Sequence, residues 1–241
     1  MLLRSNMRAL ARWTAAASVL GAAAYAAHAG VTWLRYGCVR ALKGSEDADP
    51  LLDQFMPTYE VAERHSIRTG APAATAFAAA CDLDLQRSRT IRAVIRTREL
   101  VLGSKPQDTE IPKTLLAMAK ATGWSVLAEI PGREVVVGSV TQPWAADVVF
   151  HAIPSEEFTA FHKPGWVKIA WIFQADAISS NESIVRTETR VATTDPAARE
   201  KFRRYWAFVS PGIRLIRRSA LRMVKQEAER RHSEESRAPA L

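Results

Sequence analysis

The sequence predicts an α+β domain, in which antiparallel strands precede one long amphipathic helix, with a transmembrane helix at the N terminus. Three observations support this prediction. Residues 13–34 contain no charged side chain. Residues 124–194 contain segments rich in β-branched residues that are separated by turn signals. Residues 196–231 repeat apolar side chains at intervals of three and four, as one face of a helix requires.

The N-terminal segment has the dimensions of a membrane anchor. In a helix, Trp13 and Trp33 would lie about 30 Å apart, which matches the hydrocarbon core of a bilayer, and tryptophan prefers the level of the headgroups. Two alternatives stay open: a secretory signal cleaved near residues 27–29, and a buried alanine-rich helix. We assign residues 1–43 to a basic flank followed by an anchor or signal. The predicted location is a single-pass protein of the inner or cytoplasmic membrane, or a secreted or periplasmic protein after cleavage.

The first half of the domain predicts one strand followed by short helices. Residues 44–56 begin with an acidic, polar run and predict a linker, so that the domain spans 57–231. Alternation from Tyr59 to Thr69 predicts a strand. Helical periodicity then predicts helices over 73–80, 86–100 and 113–122.

The second half predicts strands and the long helix. The strands are predicted over 124–130, 133–142, 146–153, 166–175 and 182–194. Asp195 and Pro196 are typical of a helix N-cap and first turn, and the helix is predicted to run to Arg231 with a kink at Pro211. Residues 232–241 are predicted to be a disordered tail.

The distribution of charge argues against nucleic-acid binding. The net charge is +8, but residues 1–43 and 200–241 each carry +6 and the middle of the domain, 44–199, carries −4. A nucleic-acid-binding domain would carry its basic residues on the domain itself, whereas basic ends fit an anionic lipid surface. The two cysteines predict no structural disulfide. The five scattered histidines and the absence of a phosphate-binding loop predict no metal and no cofactor.

The order of elements resembles the helix-grip fold of the START-like (SRPBCC) superfamily, which includes the polyketide cyclase/dehydrase type. The resemblance covers residues 56–231 and is carried by Ala71-Pro72 with Phe77 after the first strand and by Asp195-Pro196 before the last helix. It implies a curved antiparallel sheet wrapped around the C-terminal helix, with an apolar cavity that takes lipids, sterols, polyketides or aromatic compounds. The chain departs from the pattern by an insertion at 105–122 and by Pro211.

Within that arrangement, Glu63 and His65 are the candidates for chemistry. Both share one face of the first strand with Tyr59, because successive side chains of a strand alternate. A carboxylate beside an imidazole is suited to proton transfer, and a purely structural pair is the alternative interpretation. The candidate ligand-binding residues are Tyr59, Glu63, His65, Trp171, Thr187, Thr189, Tyr205 and Trp206.

Two charged sets are interpreted as solvated surfaces. Arg186, Glu188 and Arg190 share one face of the last strand and predict a solvent-exposed ladder. The basic side of the last helix predicts a solvated or lipid-facing surface and comprises Arg203, Arg204, Arg214, Arg217, Arg218, Arg222 and Lys225.

These observations favour a membrane-tethered domain that binds a small hydrophobic or amphipathic ligand, lipid-like, polyketide or aromatic, between sheet and helix. Its predicted partners are this ligand and membrane lipid, and its oligomeric state is not predicted. One alternative is a cyclase or dehydratase that uses Glu63 and His65. Another is a non-catalytic interaction module that docks on a membrane partner through Phe158, Phe161 and the basic helix.

Overall fold

The computed structural model describes residues 2–38, 48–104 and 112–237. The helices are α1 (Leu2–Leu34), α2 (Pro50–Phe55), α3 (Ala73–Cys81), α4 (Arg89–Leu102), α5 (Leu115–Ala121), α6 (Ser155–Phe158) and α7 (Pro196–Arg237), with a short 3-10 helix at Leu85–Arg87. The strands are β1 (Val61–Thr69), β2 (Ser125–Ile130), β3 (Glu134–Thr141), β4 (Phe150–His151), β5 (Val167–Ser179) and β6 (Glu182–Thr193). The predicted α+β class, with an antiparallel sheet and a long C-terminal helix, is confirmed.

The strands form one antiparallel sheet in the order β1-β6-β5-β3-β2, with β4 paired to β3. Strand β1 pairs with β6, at the far end of the sequence, so both ends of the domain meet in the sheet. The turn between β2 and β3 contains Gly132 at φ 73°, a left-handed conformation that favours glycine. This arrangement places β6 and β5 at the centre, beneath α7.

The two faces of the sheet are both covered, which the alternation along β5 illustrates. Trp171 and Phe173 point to the inner face, where they pack with α3, α5 and α7. Ala170 and Ile172 point to the outer face, where they pack with α2 and α6. Because it lies between these layers, every residue of β3 is buried.

Helix α7 begins where the sequence predicts. The Asp195 side chain accepts hydrogen bonds from the backbone N–H groups of Ala197 (2.8 Å) and Ala198 (3.0 Å), so it is the N-cap. The helix continues through Pro211 as one element and extends to Arg237. Residues 232–237, part of the predicted disordered tail, are therefore helical. Residues 238–241 lie outside the described residues.

Helix α1 packs its C-terminal part against the first half of α7. The Tyr25 hydroxyl donates to the carbonyl oxygen of Phe208, and His28 Nε2 lies 3.1 Å from Ser210 Oγ. Over the described ranges, no helix is both long enough and apolar enough to cross a bilayer. The transmembrane helix predicted for the N terminus is not supported. Its middle is rich in alanine, which is far less apolar than leucine.

Three further predictions differ from the structure in detail. The linker predicted over 44–56 contains α2, which buries Leu52 against the outer face of the sheet; residues 44–47 lie outside the described residues. The strand predicted over 146–153 is reduced to the two residues of β4. Phe158, predicted to dock on a partner, is 0% exposed because α6 packs it under the sheet. Phe161 lies half-buried beside it.

Candidate ligand-binding cavity

A cavity of about 180 Å³ lies between the inner face of the sheet and α7. Its walls come from α5, β5 and α7 and from the residues that flank them: Leu85, Leu115, Met118, Ala119, Thr122, Trp124, Trp171, Phe173, Ile213, Ile216, Arg217 and Ala220. Three of the walls are aromatic rings in edge-to-face contact, with centroids 6.0 Å apart for Trp124 and Trp171 and 5.9 Å for Trp171 and Phe173. Arg217 is the charged member of this lining.

A polar cluster lies beside this cavity on β1 and β6. Glu63 pairs with Thr189 and His65 pairs with Thr187 in the strand register, so all four side chains share the inner face. The structure therefore brings together four of the residues predicted to bind a ligand, and it adds Trp171 in the cavity wall. His65 Nε2 lies 3.6 Å from Glu63 Oε2. His65 Nε2 and Thr189 Oγ1 are buried and have no hydrogen-bond partner among the residues that the structure describes.

Glu63 is held as a carboxylate by an arginine of α7. Arg214 donates to Glu63 Oε1 from Nε at 2.9 Å and from Nη2 at 2.8 Å. Burial alone would raise the pKa of Glu63, but the interactions with His65 and Arg214 outweigh it and leave that pKa below its ordinary value. Glu63, Arg214 and Trp206 also line a second cavity of about 240 Å³ between α1, β1 and α7.

Arg217, one turn further along α7, forms no ion pair with a carboxylate of the described residues. Among the described residues, it donates one long hydrogen bond, 3.4 Å from Nη1 to the hydroxyl oxygen of Thr187. Burial lowers the pKa of Arg217 to about 10, and the Glu63 carboxylate partly opposes that change. The guanidinium is therefore charged at neutral pH and lines an apolar cavity. It carries five N–H donors, more than its bond to Thr187 uses.

Arg214 and Arg217 correct the interpretation of the basic helix face as solvated. A signal for Arg217 was present in the sequence. It stands four residues after Ile213 and three before Ala220, on the apolar stripe of the helix. An arginine on such a stripe points toward the core.

Two other predicted ligand-binding residues lie elsewhere. Tyr59 precedes β1 rather than belonging to it, so the alternation does not reach it. Its ring packs on the outer face, with its centroid 4.5 Å from the Arg190 guanidinium carbon. Tyr205 accepts a hydrogen bond from Arg98 at 3.3 Å and lines a groove with Trp144 and Phe208 instead of either cavity.

The outer face carries a buried charge network, so the prediction of a solvent-exposed ladder was wrong. Arg190 is 0% exposed and Glu188 is 4% exposed, because α2 covers this part of β6. Arg190 donates to Glu188 at 2.6 Å and to the carbonyl oxygen of Met56 at 2.8 Å, and it also pairs with Asp53. Arg64 pairs with Glu188 from the neighbouring strand at 2.7 Å. These contacts fix α2 on the sheet.

A pair of carboxyl groups lies next to this network. Asp49 caps α2 by accepting a hydrogen bond from the backbone N–H of Leu52 at 2.8 Å, and both Asp49 and Glu134 are buried. Burial, followed by the charge and hydrogen bond of Asp49, raises the pKa of Glu134 to about 7. Gln174 donates to Glu134 at 3.3 Å.

Comparisons with known proteins identify no family. No protein-family model matches the chain, and no curated protein matches it. Similar solved structures include a hypothetical protein from Helicobacter pylori, with a TM-score of 0.36, 7% identity, and coverage of 79% of this chain and 97% of that one. The di-domain ARO/CYC BexL from the BE-7585A biosynthetic pathway has a TM-score of 0.28, 14% identity and coverages of 70% and 46%. The ZhuI aromatase/cyclase from Streptomyces sp. R1128 has a TM-score of 0.25, 13% identity and coverages of 71% and 94%. At these scores the similarities carry no functional argument.

Proposed function

We propose that the protein binds a small hydrophobic or amphipathic molecule in the cavity between the sheet and α7. The observation that carries this proposal is the apolar, aromatic-walled space of about 180 Å³ beside a cluster of inward polar groups. Such a combination of apolar walls and a few convergent polar groups is typical of ligand sites.

The volume selects among the ligands that the sequence suggested. Apolar cavities of about 150 Å³ accommodate benzene, whereas sites for drug-sized ligands usually enclose about 300–1,000 Å³. At about 180 Å³, the cavity fits a molecule of about one aromatic ring, and a polyketide or a sterol would have to extend beyond it. The proposed ligand is therefore a single-ring compound or a short aliphatic chain.

A pair of neighbouring substitutions on α7 tests this proposal. Ile216→Trp places a larger side chain in the cavity, whereas Leu215→Trp makes the same kind of change at the next position, which is 50% exposed. We expect benzyl alcohol to bind the wild-type protein and the Leu215→Trp variant but not the Ile216→Trp variant. Ligand-observed NMR titration measures this binding. Circular dichroism checks that both variants are folded. Equal binding by folded Ile216→Trp would refute the proposal.

The cyclase or dehydratase alternative has weaker support from this geometry. A general base works best when its pKa lies near the operating pH, but the interactions of Glu63 move its pKa downward and Arg214 occupies one of its oxygens. Unchanged turnover of a matched substrate after Glu63→Gln and His65→Ala would eliminate this alternative.

Localisation at a membrane stays a prediction from the sequence of residues 13–34. Carbonate extraction of the expressed protein, together with identification of its N-terminal residue, separates a retained anchor, a cleaved signal and a helix packed on the domain. Retention in the carbonate-resistant membrane fraction would support the anchor, and release would contradict it.

A further inference from the structure

Four arginines that contact the two faces of the sheet differ in whether a carboxylate neutralises their charge. Arg190 and Arg64 share Glu188, and Arg214 pairs with Glu63. Within residues 2–38, 48–104 and 112–237, Arg217 donates a single long hydrogen bond, to a neutral hydroxyl, and Glu63, the acidic group that acts on it, is already engaged by Arg214. Arg217 is half-buried, and a guanidinium partly withdrawn from water is more stable when an anion compensates its charge. An anion in the cavity would therefore stabilise it.

We infer that the ligand of the cavity is an organic monoanion, a carboxylate on a body of about one ring, and that Arg217 binds its anionic group. This inference rests on the proposed function of the cavity. It adds the charge and the chemical class of the ligand, and it names the residue that recognises them.

The charge of the ligand follows from the charges around the cavity. Arg214 and Glu63 neutralise each other, so among the described residues that line the cavity, Arg217 supplies the one positive charge left for the ligand. A monoanion balances it, whereas a dianion such as a phosphate monoester would bring a surplus negative charge close to Glu63. A carboxylate also matches the planar guanidinium, which can donate two parallel hydrogen bonds to its two oxygens.

Two hydroxyl groups support an anion at this position. The hydroxyl of Thr187 lies 3.4 Å from Arg217 Nη1. The hydroxyl of Thr189, two residues along the same face of β6, is buried and meets no hydrogen-bond partner in the described part of the chain. Thr189 is also the direct cross-strand neighbour of Trp171, which belongs to the cavity wall. A buried hydroxyl without a partner is uncommon in folded proteins, and a ligand oxygen would supply one.

The apolar body of the ligand then lies against the aromatic walls. Trp124, Trp171 and Phe173 form a run of edge-to-face rings on the same cavity, and aromatic ligands pack favourably in such an arrangement. Benzoate combines the ring, the single negative charge and the planar carboxylate, and it is the probe of choice. Benzyl alcohol is its neutral counterpart of nearly the same shape.

The test compares Arg217→Gln with Arg218→Gln. Both variants lose one positive charge from adjacent positions of α7, but Arg218 is exposed and Arg217 lines the cavity. We expect ligand-observed NMR titration to show that Arg217→Gln binds benzoate about ten- to a hundredfold more weakly than the wild type, as loss of a charge-assisted hydrogen bond predicts. Arg218→Gln should bind benzoate as the wild type does, and all three proteins should bind benzyl alcohol equally.

Arg217→Lys is the second variant, in case Arg217→Gln does not fold. It keeps the charge but loses the paired donors, and its affinity for benzoate should fall between the other two.

The outcomes separate the inference from the function on which it rests. If benzyl alcohol binds as tightly as benzoate and no substitution of Arg217 changes either affinity, the inference is wrong and the cavity keeps its proposed role. If neither compound binds the wild-type protein, both proposals fail. Tighter binding of phenyl phosphate than of benzoate would contradict the assignment of a monoanion.

Discussion

Replacing Glu134 by glutamine should remove a pH-dependent loss of stability. Glu134 is 3% exposed and lies beside Asp49, and these surroundings raise its pKa from the ordinary value of 4.5 to about 7. The folded protein therefore holds this proton more tightly than the unfolded chain does. By linkage, the wild-type protein loses stability as the pH rises from about 4.5 to about 7, and the loss is complete above that window.

The magnitude follows from the size of the pKa change. One pKa unit corresponds to about 1.4 kcal/mol, so the complete change amounts to about 3 kcal/mol. The amide of Glu134→Gln does not ionise and can still hydrogen-bond to Asp49. We expect the variant to be more stable than the wild type by about 3 kcal/mol near pH 8 and by less than about 1 kcal/mol near pH 5.

Urea unfolding, followed by tryptophan fluorescence at both pH values, measures this difference. Glu129→Gln is the matched control, because Glu129 lies exposed on the adjacent strand. Its free energy of unfolding should differ from that of the wild type by the same small amount at both pH values. If the stability difference between Glu134→Gln and the wild type does not change with pH, the account of the Asp49–Glu134 pair is wrong.

Three further substitutions test other parts of the structure by chemical denaturation. Arg190→Met should destabilise the protein by about 1–3 kcal/mol, because Glu188 keeps Arg64 but loses one of its two arginines, and Asp53 of α2 loses its ion pair. Asp53→Asn should then cost less in the Arg190→Met background than it does alone, and equal costs in both backgrounds would contradict the network. Arg217→Met should stabilise the ligand-free protein by about 1 kcal/mol or more, since an uncompensated charge is replaced by an apolar side chain, and a loss of stability would argue that Arg217 is already well paired. Asp195→Ala should cost about 1 kcal/mol through loss of the α7 N-cap, and an unchanged midpoint would show that the cap is not needed.

Local signals predicted most elements of this fold. The Asp195-Pro196 pair placed the start of α7 correctly because capping depends on neighbouring residues only. The alternation in β6 placed Thr187 and Thr189 on the inner face for a similar reason. Such predictions need no knowledge of which surfaces meet.

The errors arose where a second layer decides the outcome. The charged face of β6 has the pattern of a solvated ladder, but α2 covers it and buries Arg190, and α2 belongs to a stretch whose acidic start predicted a linker. In the candidate site, too, the sequence does not show which charged side chains another layer covers. The alternation of β1 predicts Glu63 and His65 on the inner face, whereas the sequence assigns Arg217 to the solvated side of the helix because arginine on a helix is usually exposed. Only its spacing from Ile213 and Ala220 marked it as inward.

The most direct test of the central claim is to locate benzoate in the wild-type protein by NMR. With methyl groups of methionine and isoleucine labelled with ¹³C, addition of benzoate should shift the signals of Met118 and Ile213, whose side chains line the cavity. The signal of Ile172, on the outer face of the sheet, should stay in place. Shifts confined to Ile172, or no shift at Met118 and Ile213 at saturating benzoate, would contradict the claim that the space between sheet and α7 binds a ligand.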